Sequence, residues 1–577
     1  MSTDTTKLPG DEIPTSELGD SHRHGSTNAL LYGLDGLTLY EKKCVLINRE
    51  IDNQGMGKYQ WYIWTLCGFG YLLDLLWAQA FGLVLGPLQQ EMGFGNDETG
   101  NISTSFNAGL TAGAFVWGFL ADIIGMMTLG SLAVQQVLYL EIPLRCRRWA
   151  FNLTCLFSSV FGLCLGASNN YNTFLILTAF VGFGVGGNIP IDTTITLEFI
   201  PQNKRFLLAC LSVFQPIGVV ICSAIAFGFI PVYACSPNFS EPDALQSCKL
   251  PNAGANCCSR GDNMGWRYLL FTIGAITLLV FVLRFFVFDF HETPKFLVYR
   301  GKDAKAIDTL QHMAKVNKKQ CGLTLELFES LQSDDSSVGS GNSSTPVLGA
   351  GSKQLNMPRS QKLKLEMSRY KMLFSSAKMT RLTILVWLTY IMDYWGFTVA
   401  GFYLPKILAE KNGAENVSLT STYAAYIYTY APGIVGVLLG AMMYRVPAFG
   451  RKWTMVISSA LMGISIILFS TVDTRAKNEG LFTMEYFFQS MFNAVLYGWT
   501  PEAFPAPIRG TACGVAGFWG RLFGIVSPLI AQHLYGDGKG QGGMNSVLYL
   551  AGGVMLGCVV TTALLPNDMM ESKDERS

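Results

Sequence analysis

The chain has 577 residues, 50 % of them hydrophobic and 14 % charged, with a formal net charge of +1 and a mean hydropathy of +0.30. A soluble domain carries about 25 % charged residues, and here apolar stretches of the roughly 20 residues that a bilayer core requires recur along most of the chain. That excludes a soluble globular protein. The scatter of basic residues among short loops excludes a nucleic-acid-binding face, leaving an all-α polytopic membrane protein.

In chain order, residues 1–59 read as a polar cytosolic tail with a short helix near Gly36–Arg49, and no cleaved signal pattern opens it. Six spans follow near 60–87, 104–124, 148–168, 172–197, 206–231 and 267–289, forming an N-terminal six-helix bundle over 60–290. A polar cytosolic linker covers 291–379, with a helix-like stretch at Lys302–Lys319 and a Ser/Gly-rich run, Ser333–Ser352, too poor in apolar residues to fold. A second six spans near 381–408, 422–444, 453–472, 481–502, 510–534 and 546–565 form a C-terminal bundle over 380–566, and a short cytosolic tail, 567–577, ends the chain.

The two groups are parallel repeats. Glu198-Phe-Ile-Pro201-Gln-Asn-Lys-Arg205 and Glu502-Ala-Phe-Pro505-Ala-Pro-Ile-Arg509 share Glu-x-x-Pro-x-x-x-Arg and stand 304 positions apart. Arg147 and Arg451 keep the same spacing, but Gly125 and Gly450 stand 325 apart, so 21 extra residues, Met126–Cys146, interrupt the first copy between Gly125 and Arg147-Arg148. This segment is too short and too polar at Gln135, Gln136 and Glu141 for another span. Either it is a regulatory loop or it translates a retained short intron; excision restores Gly125-Arg147-Arg148-Trp149, which favours the intron.

Basic residues at Arg147, Arg148, Lys204, Arg205, Arg445, Arg451, Lys452 and Arg509 flank one set of loops, while Glu91, Asp97 and Glu98 mark the opposite set. The positive-inside bias then puts both termini in the cytosol. The sequons at Asn101, Asn238 and Asn416 fall in loops assigned to the outside and are glycosylation candidates, whereas Asn342 falls in the cytosolic linker. Four cysteines, Cys235, Cys248, Cys257 and Cys258, crowd one outside loop as disulfide candidates. Adjacent Cys257 and Cys258 rarely bond each other, which leaves two pairings open; the spacing is poor for zinc, and no metal site is expected.

Three motifs resemble the major facilitator superfamily over roughly residues 60–566. They are Gly118-x-x-x-Asp122-x-x-Gly125 with the displaced Arg147-Arg148, the box Glu292-Thr-Pro294-Lys295-Phe296-Leu297 after span six, and the paired Glu-x-x-Pro-x-x-x-Arg boxes. They look sugar-porter-like, while Gly186-Gly187-Asn188-Ile189-Pro190-Ile191-Asp192 resembles the branch holding synaptic-vesicle-glycoprotein-like proteins and organic-acid or nicotinate permeases. The resemblance implies twelve helices in two six-helix bundles, substrate bound between them near the midplane, and alternating access by rocking. It also implies that Gly118, Asp122, Gly125, Arg147, Arg148, Glu198, Arg205, Gly450, Arg451, Glu502 and Arg509 belong to inner-rim gating.

Ionisable groups inside hydrocarbon are expensive and usually functional. Asp74 and Asp393 each stand about 20 Å into their spans, beside Trp77 and Tyr394-Trp395 respectively. They are candidates for proton coupling or for recognising a cationic or hydroxylated substrate. Asp192, after the bend at Asn188 and Pro190, and Arg521 in span eleven are further candidates, and Gln79, Gln215, Glu485, Gln489 and Tyr497 are candidate cavity linings. The glycines Gly182 to Gly187 lie inside an apolar helix, so they read as helix packing, not as a phosphate loop. There is no nucleophile–base or metal constellation and no cofactor motif; His291 and His533 are isolated.

The expected function is secondary active transport of a small organic solute coupled to protons, by a monomer in the plasma membrane that needs no cofactor. A sensor on the same scaffold, or an exporter of drugs or metabolites, is the alternative. If Met126–Cys146 is a retained intron, transcript sequencing will find a dominant message lacking its codons; a dominant message that keeps them would make the segment a true loop.

Overall fold

The computed structural model describes residues 39–124, 146–287, 292–338 and 370–566, apart from short breaks at 242, 252–253, 255, 300, 447–448, 505–507 and 538–540. The interrupting segment Met126–Cys146 falls almost wholly outside these residues, as do Gly125 and Asn342. Among the described residues the secondary structure is helical, with an isolated bridge between Ser247 and Cys258.

The helices, in chain order, are α1 (Leu39–Gln54), α2 (Lys58–Met92), α3 (Gly100–Ile124), α4 (Cys146–Gly166), α5 (Tyr171–Val185), α6 (Asn188–Phe199), α7 (Phe206–Leu211), α8 (Phe214–Phe229) and α9 (Gly265–Val282). Then come α10 (Pro294–Tyr299), α11 (Asp303–Val316), α12 (Leu325–Val338), α13 (Ala377–Ala414), α14 (Leu419–Tyr430), α15 (Pro432–Met443), α16 (Phe449–Phe469), α17 (Arg475–Ala503), α18 (Arg509–Asp537) and α19 (Gln541–Ala563). Among the described residues, eight rods are long and apolar enough to cross a membrane: α2, α7–α8, α9, α13, α14–α15, α16, α18 and α19. Helices α3, α4, α5–α6 and α17 occupy the other expected span positions.

Three expected spans are broken, each near a proline. Proline lacks the N–H that would bond four residues back. Pro190 cannot donate back to Gly186 at the α5–α6 break, nor Pro216 to Ser212 between α7 and α8; those carbonyls accept instead from Arg521 Nη1 at 3.5 Å and from Gln215 N at 3.1 Å, and Pro432 opens α15 after the turn at Ala431. Spans one and seven run longer than expected, at 35 and 38 residues. The Ser376 side chain accepts from Met379 N at 3.2 Å and fixes the start of α13.

Two assignments to loops need correction. Glu91 lies in the last turn of α2 and is buried. Asn101 lies in the first turn of α3, and Ser103 of its sequon is buried. Helix α12 also continues to Val338, so the first six residues of the Ser/Gly-rich run are helical.

The chain divides into two compact units. The smaller combines Met1–Tyr59, Pro201–Asn203 and Thr293–Met357. In it, the apolar stripe of α1, Leu46, Ile47 and Ile51, is buried along with Ile307, Leu310 and Met313 of α11 and Phe328 of α12. Lys43 pairs with Asp303 at 2.5 Å, Lys319 donates to the Gln54 carbonyl at 2.7 Å, and Gln202 N donates to Asp52 at 2.6 Å. Burial, with Glu50 alongside, pushes the Cys321 thiol up to about 12, so it stays protonated at neutral pH.

The larger unit holds the spans, and its contacts repeat. Helix α3 packs on α5 as α15 packs on α17, and α4 packs on α9 as α16 packs on α19. The two halves meet at α3 with α18 and at α8 with α14, which are equivalent pairings in the two repeats. Gly109 and Gly113 of α3 face α5 so closely that a Cβ would lie 1.9 and 2.0 Å from the carbonyls of Ala179 and Phe183; Gly182 and Gly186 return the contact against Phe106 and Leu110. Without a hydrophobic drive between helices in lipid, such close backbone approach is what holds them.

Gly109→Ala should therefore lower the melting temperature of the purified chain, by the equivalent of roughly 1–3 kcal/mol for an overpacked core site. Gly514→Ala, whose Cβ meets open space, should not.

Candidate functional site

The two halves of the larger unit line a shared, partly open cavity. The N-terminal half contributes Asp74 and Gln79 from α2, Asn107 from α3 and Gln215 from α8; the C-terminal half contributes Tyr394, Tyr430, Glu485, Gln489, Asn493, Tyr497 and Arg521. All are apolar-helix positions where a polar side chain has no business unless it meets another polar group or an open space. Asp74 and Arg521 come from opposite halves and lie within electrostatic reach of each other. Asp74 Oδ1 and Arg521 Nε have no hydrogen-bond partner among the described residues, and Arg521 Nη1 reaches the Gly186 carbonyl at 3.5 Å. Gln79 Nε2 donates to the Tyr430 hydroxyl at 2.9 Å, a second polar link between the halves.

Four of the residues singled out from sequence lie elsewhere. Trp77 is fully buried inside the N-terminal half, donating to Thr277 Oγ1 at 3.1 Å, with its ring edge against Gly162. Asp192 is fully buried and paired with Arg284 at 3.2 Å, and Gly70 of α2 sits tight against its carboxylate. Asp393 is buried and does not line the cavity; with its amide turned so that the nitrogen faces the carboxylate, Asn493 donates to both carboxylate oxygens at 3.2 Å. Trp395 packs on Phe523 of α18, its ring centroid 5.9 Å away. Depth along the span singled out Asp393, but depth along a helix does not say which way a side chain points.

The partner of Asp192, Arg284, was not singled out from sequence; it also donates to the Leu66 carbonyl at 3.0 Å and to Cys155 Sγ at 3.3 Å. A second buried ion pair joins Glu91 to Arg267, whose two guanidinium nitrogens donate at 2.6 and 2.9 Å while Trp266 Nε1 adds a bond at 2.9 Å. Both arginines lie in or next to α9 near the two ends of an apolar run, and that position was the available signal.

At the end of the bundle bearing the cysteine-rich loop, the halves are bonded together. Lys406 donates to Gln89 at 2.7 Å and to Asn96 at 3.0 Å, Tyr423 donates to the Leu83 carbonyl at 2.7 Å, and the hydroxyls of Thr99 and Tyr403 lie 3.3 Å apart. Gly82 packs against the Gly401 carbonyl. The loop itself carries disulfides Cys235–Cys258 and Cys248–Cys257, one of the two pairings the sequence left open. Asn238 is half-buried there, bonded to Ser240 and Glu241, while Asn416 stands exposed with a left-handed backbone, φ +56°.

At the opposite end the motif residues gather. Arg451 pairs with Glu502 at 3.5 Å, stacks over Tyr444 and donates to the Tyr444 carbonyl at 3.2 Å. The box glutamate thus takes as partner the arginine of the loop signature in its own half. Gly450 brings α16 against the Met443 carbonyl, so closely that a Cβ would lie 2.3 Å away. Arg205 precedes α7, and Glu198 ends α6. Between the halves, Arg445 lies over the Phe206 ring at 3.7 Å, whereas Gly514 faces open space. The side chains of Asp122, Arg147, Arg148 and Arg509, and the surroundings of Gly118 and Gly125, lie outside the described residues.

The comparisons agree with this architecture. The family profile described as "Sugar (and other) transporter" matches residues 89–572. The MFS siderochrome iron transporter 1 of Ceriporiopsis subvermispora is 36 % identical over 504 residues, covering 86 % of each chain. The synaptic vesicle 2-related protein of Pongo abelii is 22 % identical, over 90 % of this chain and 79 % of its own. Among solved structures, the xylose transporter XylE from E. coli in a partially occluded inward-open conformation superposes with a TM-score of 0.58 at 14 % identity, covering 87 % of this chain and 96 % of that one, which speaks to the fold alone. The protein is a multi-pass integral membrane protein of the sugar (and other) transporter family within the major facilitator superfamily.

Proposed function

We propose that the chain is a secondary active transporter that carries a small organic solute through the cavity between its halves, driven by protons. The observation that carries this reading is that Asp74 and Arg521, an acid and a base from opposite halves, both line that cavity. A guanidinium across the cavity favours the ionised form of the carboxyl, and that attraction draws the two halves together. Once protonated it releases the arginine, and the attraction between the halves falls. Proton binding and rocking are thereby linked at one place, with no nucleotide or metal required.

The bonded end, with Lys406, Tyr423 and Tyr403, is in this reading the closed outer gate, and the motif end is cytosolic, with both termini, in the plasma membrane. The Arg451–Glu502 pair and its counterparts at Glu198, Arg205 and Arg509 belong to the inner gate. Asp393, held by Asn493, and Asp192, held by Arg284, maintain packing. Each acid with a fixed polar partner gives up the freedom to exchange a proton with a solute pathway.

Two measurements test the reading. In proteoliposomes screened with labelled sugars, organic acids and amines, an imposed pH gradient should drive uptake of the accepted solute. Asp74→Asn should lose at least about tenfold of that drive, the factor for one lost interaction of about 1.4 kcal/mol. Asp393→Asn should keep it. Uptake indifferent to the gradient in the wild-type protein would remove proton coupling. For orientation, Asn416→Gln should abolish a glycosidase-sensitive mobility shift in cells, whereas Asn101→Gln, inside a helix, should leave it unchanged; absence of any glycan on Asn416 would count against an outside location for this loop.

A further inference from the structure

Glu485 stands apart from the other buried acids. It is 4 % exposed, lines the cavity, and its Oε1 has no hydrogen-bond partner among the described residues. Glu91 and Asp192 each have an arginine and Asp393 has the Asn493 amide. Arg521 is the single basic side chain on the described cavity wall, and Asp74 lies within its electrostatic reach. The described wall thus carries two carboxyl groups against one guanidinium.

The surroundings of Glu485 are aromatic. Phe482, Glu485 and Tyr486 are neighbours on one face of α17, at the three- and four-residue spacings that bring side chains together. Tyr430 closes the group from α14, its ring centroid 5.2 Å from that of Phe482 and 4.7 Å from that of Tyr486. Both tyrosine–phenylalanine and tyrosine–tyrosine contacts are edge-to-face, so the rings form corners and do not fill the space as a flat stack. The Tyr430 hydroxyl is occupied by Gln79. The rings offer electron-rich faces, and the carboxylate offers the charge, a combination that suits a positively charged nitrogen.

We infer that Glu485, with Tyr430, Phe482 and Tyr486, is the subsite for a cationic nitrogen, and that the transported solute carries a protonated or quaternary amine. This rests on the reading of the cavity as a transport site. The cation meets the Glu485 carboxyl directly, so a bound solute is favoured over the empty cavity without calling on Arg521. A neutral sugar would leave Glu485 without its counter-charge.

The test uses the full chain in lipid nanodiscs, titrated with choline, with tetraethylammonium, and with 3,3-dimethylbutan-1-ol, the uncharged carbon analogue of choline. At least one ammonium should bind, choline more tightly than its neutral analogue. Glu485→Gln should weaken ammonium binding by roughly thirtyfold or more, as for removal of one partner from a desolvated charge pair. Tyr486→Leu should weaken it by about tenfold, and Tyr486→Phe, which keeps the ring, much less. If Glu485→Gln does not purify as a single species, Tyr486→Leu and Phe482→Leu decide by the same criterion.

Equal ammonium affinity in wild type and variants, or no ammonium binding to the wild type, overturns the subsite. So does a Glu485→Gln variant that binds ammonium normally but loses its response to a pH gradient, which would make Glu485 a proton carrier. Wild-type uptake of a neutral or anionic solute, unaffected by either ammonium, overturns the subsite and leaves transport standing. Glu485-dependent ammonium binding without uptake of any solute upholds the subsite and removes the transport reading.

Discussion

A charge in hydrocarbon must be matched, and the arrangement of the larger unit follows from how each one is. Glu91 with Arg267 and Asp192 with Arg284 are matched inside the N-terminal half, each arginine also bonding a backbone carbonyl. Such pairs cost desolvation and return it only with complete hydrogen bonding; their contribution is to fix how α2, α4, α6 and α9 are set against one another. Losing one partner would leave the other charge buried and uncompensated, which is far costlier than never having had the pair.

The charges left incompletely matched are those on the cavity wall. Asp74 and Arg521 line the cavity from opposite halves, and Glu485 has no fixed cation among the described residues. Rigid matching builds each bundle, and partial matching is concentrated between the bundles. Gly109, Gly113, Gly182 and Gly186 bring backbones together within one half, while the contacts between halves combine the close approach of Gly82 to the Gly401 carbonyl with side-chain hydrogen bonds such as those of Lys406 and Tyr423.

Much of the cavity was legible in the sequence, because a polar residue in an apolar span is conspicuous. Asp74, Gln79, Gln215, Tyr394, Glu485, Gln489, Tyr497 and Arg521 all line it. Asp393 and Trp77 lie at comparable depths and do not, since a rotation of about 100° per residue decides which face a side chain takes. Arg284 and Arg267 escaped notice because they stand near the edges of an apolar run, where a basic residue ordinarily reads as an interfacial anchor. The association of α1 with α11 and α12 was equally out of reach, since it joins segments some 260 positions apart that are each only moderately amphipathic.

The sequence by itself determined the membrane class, the two parallel repeats and the interruption between Gly125 and Arg147, because hydropathy and a fixed spacing are properties of the chain alone. Tertiary structure decided which buried acids face the cavity, which cysteines are joined, and where Arg451 finds its carboxylate. These depend on the rotation of each helix about its axis and on which helices become neighbours, and neither is written in the order of residues along any one span.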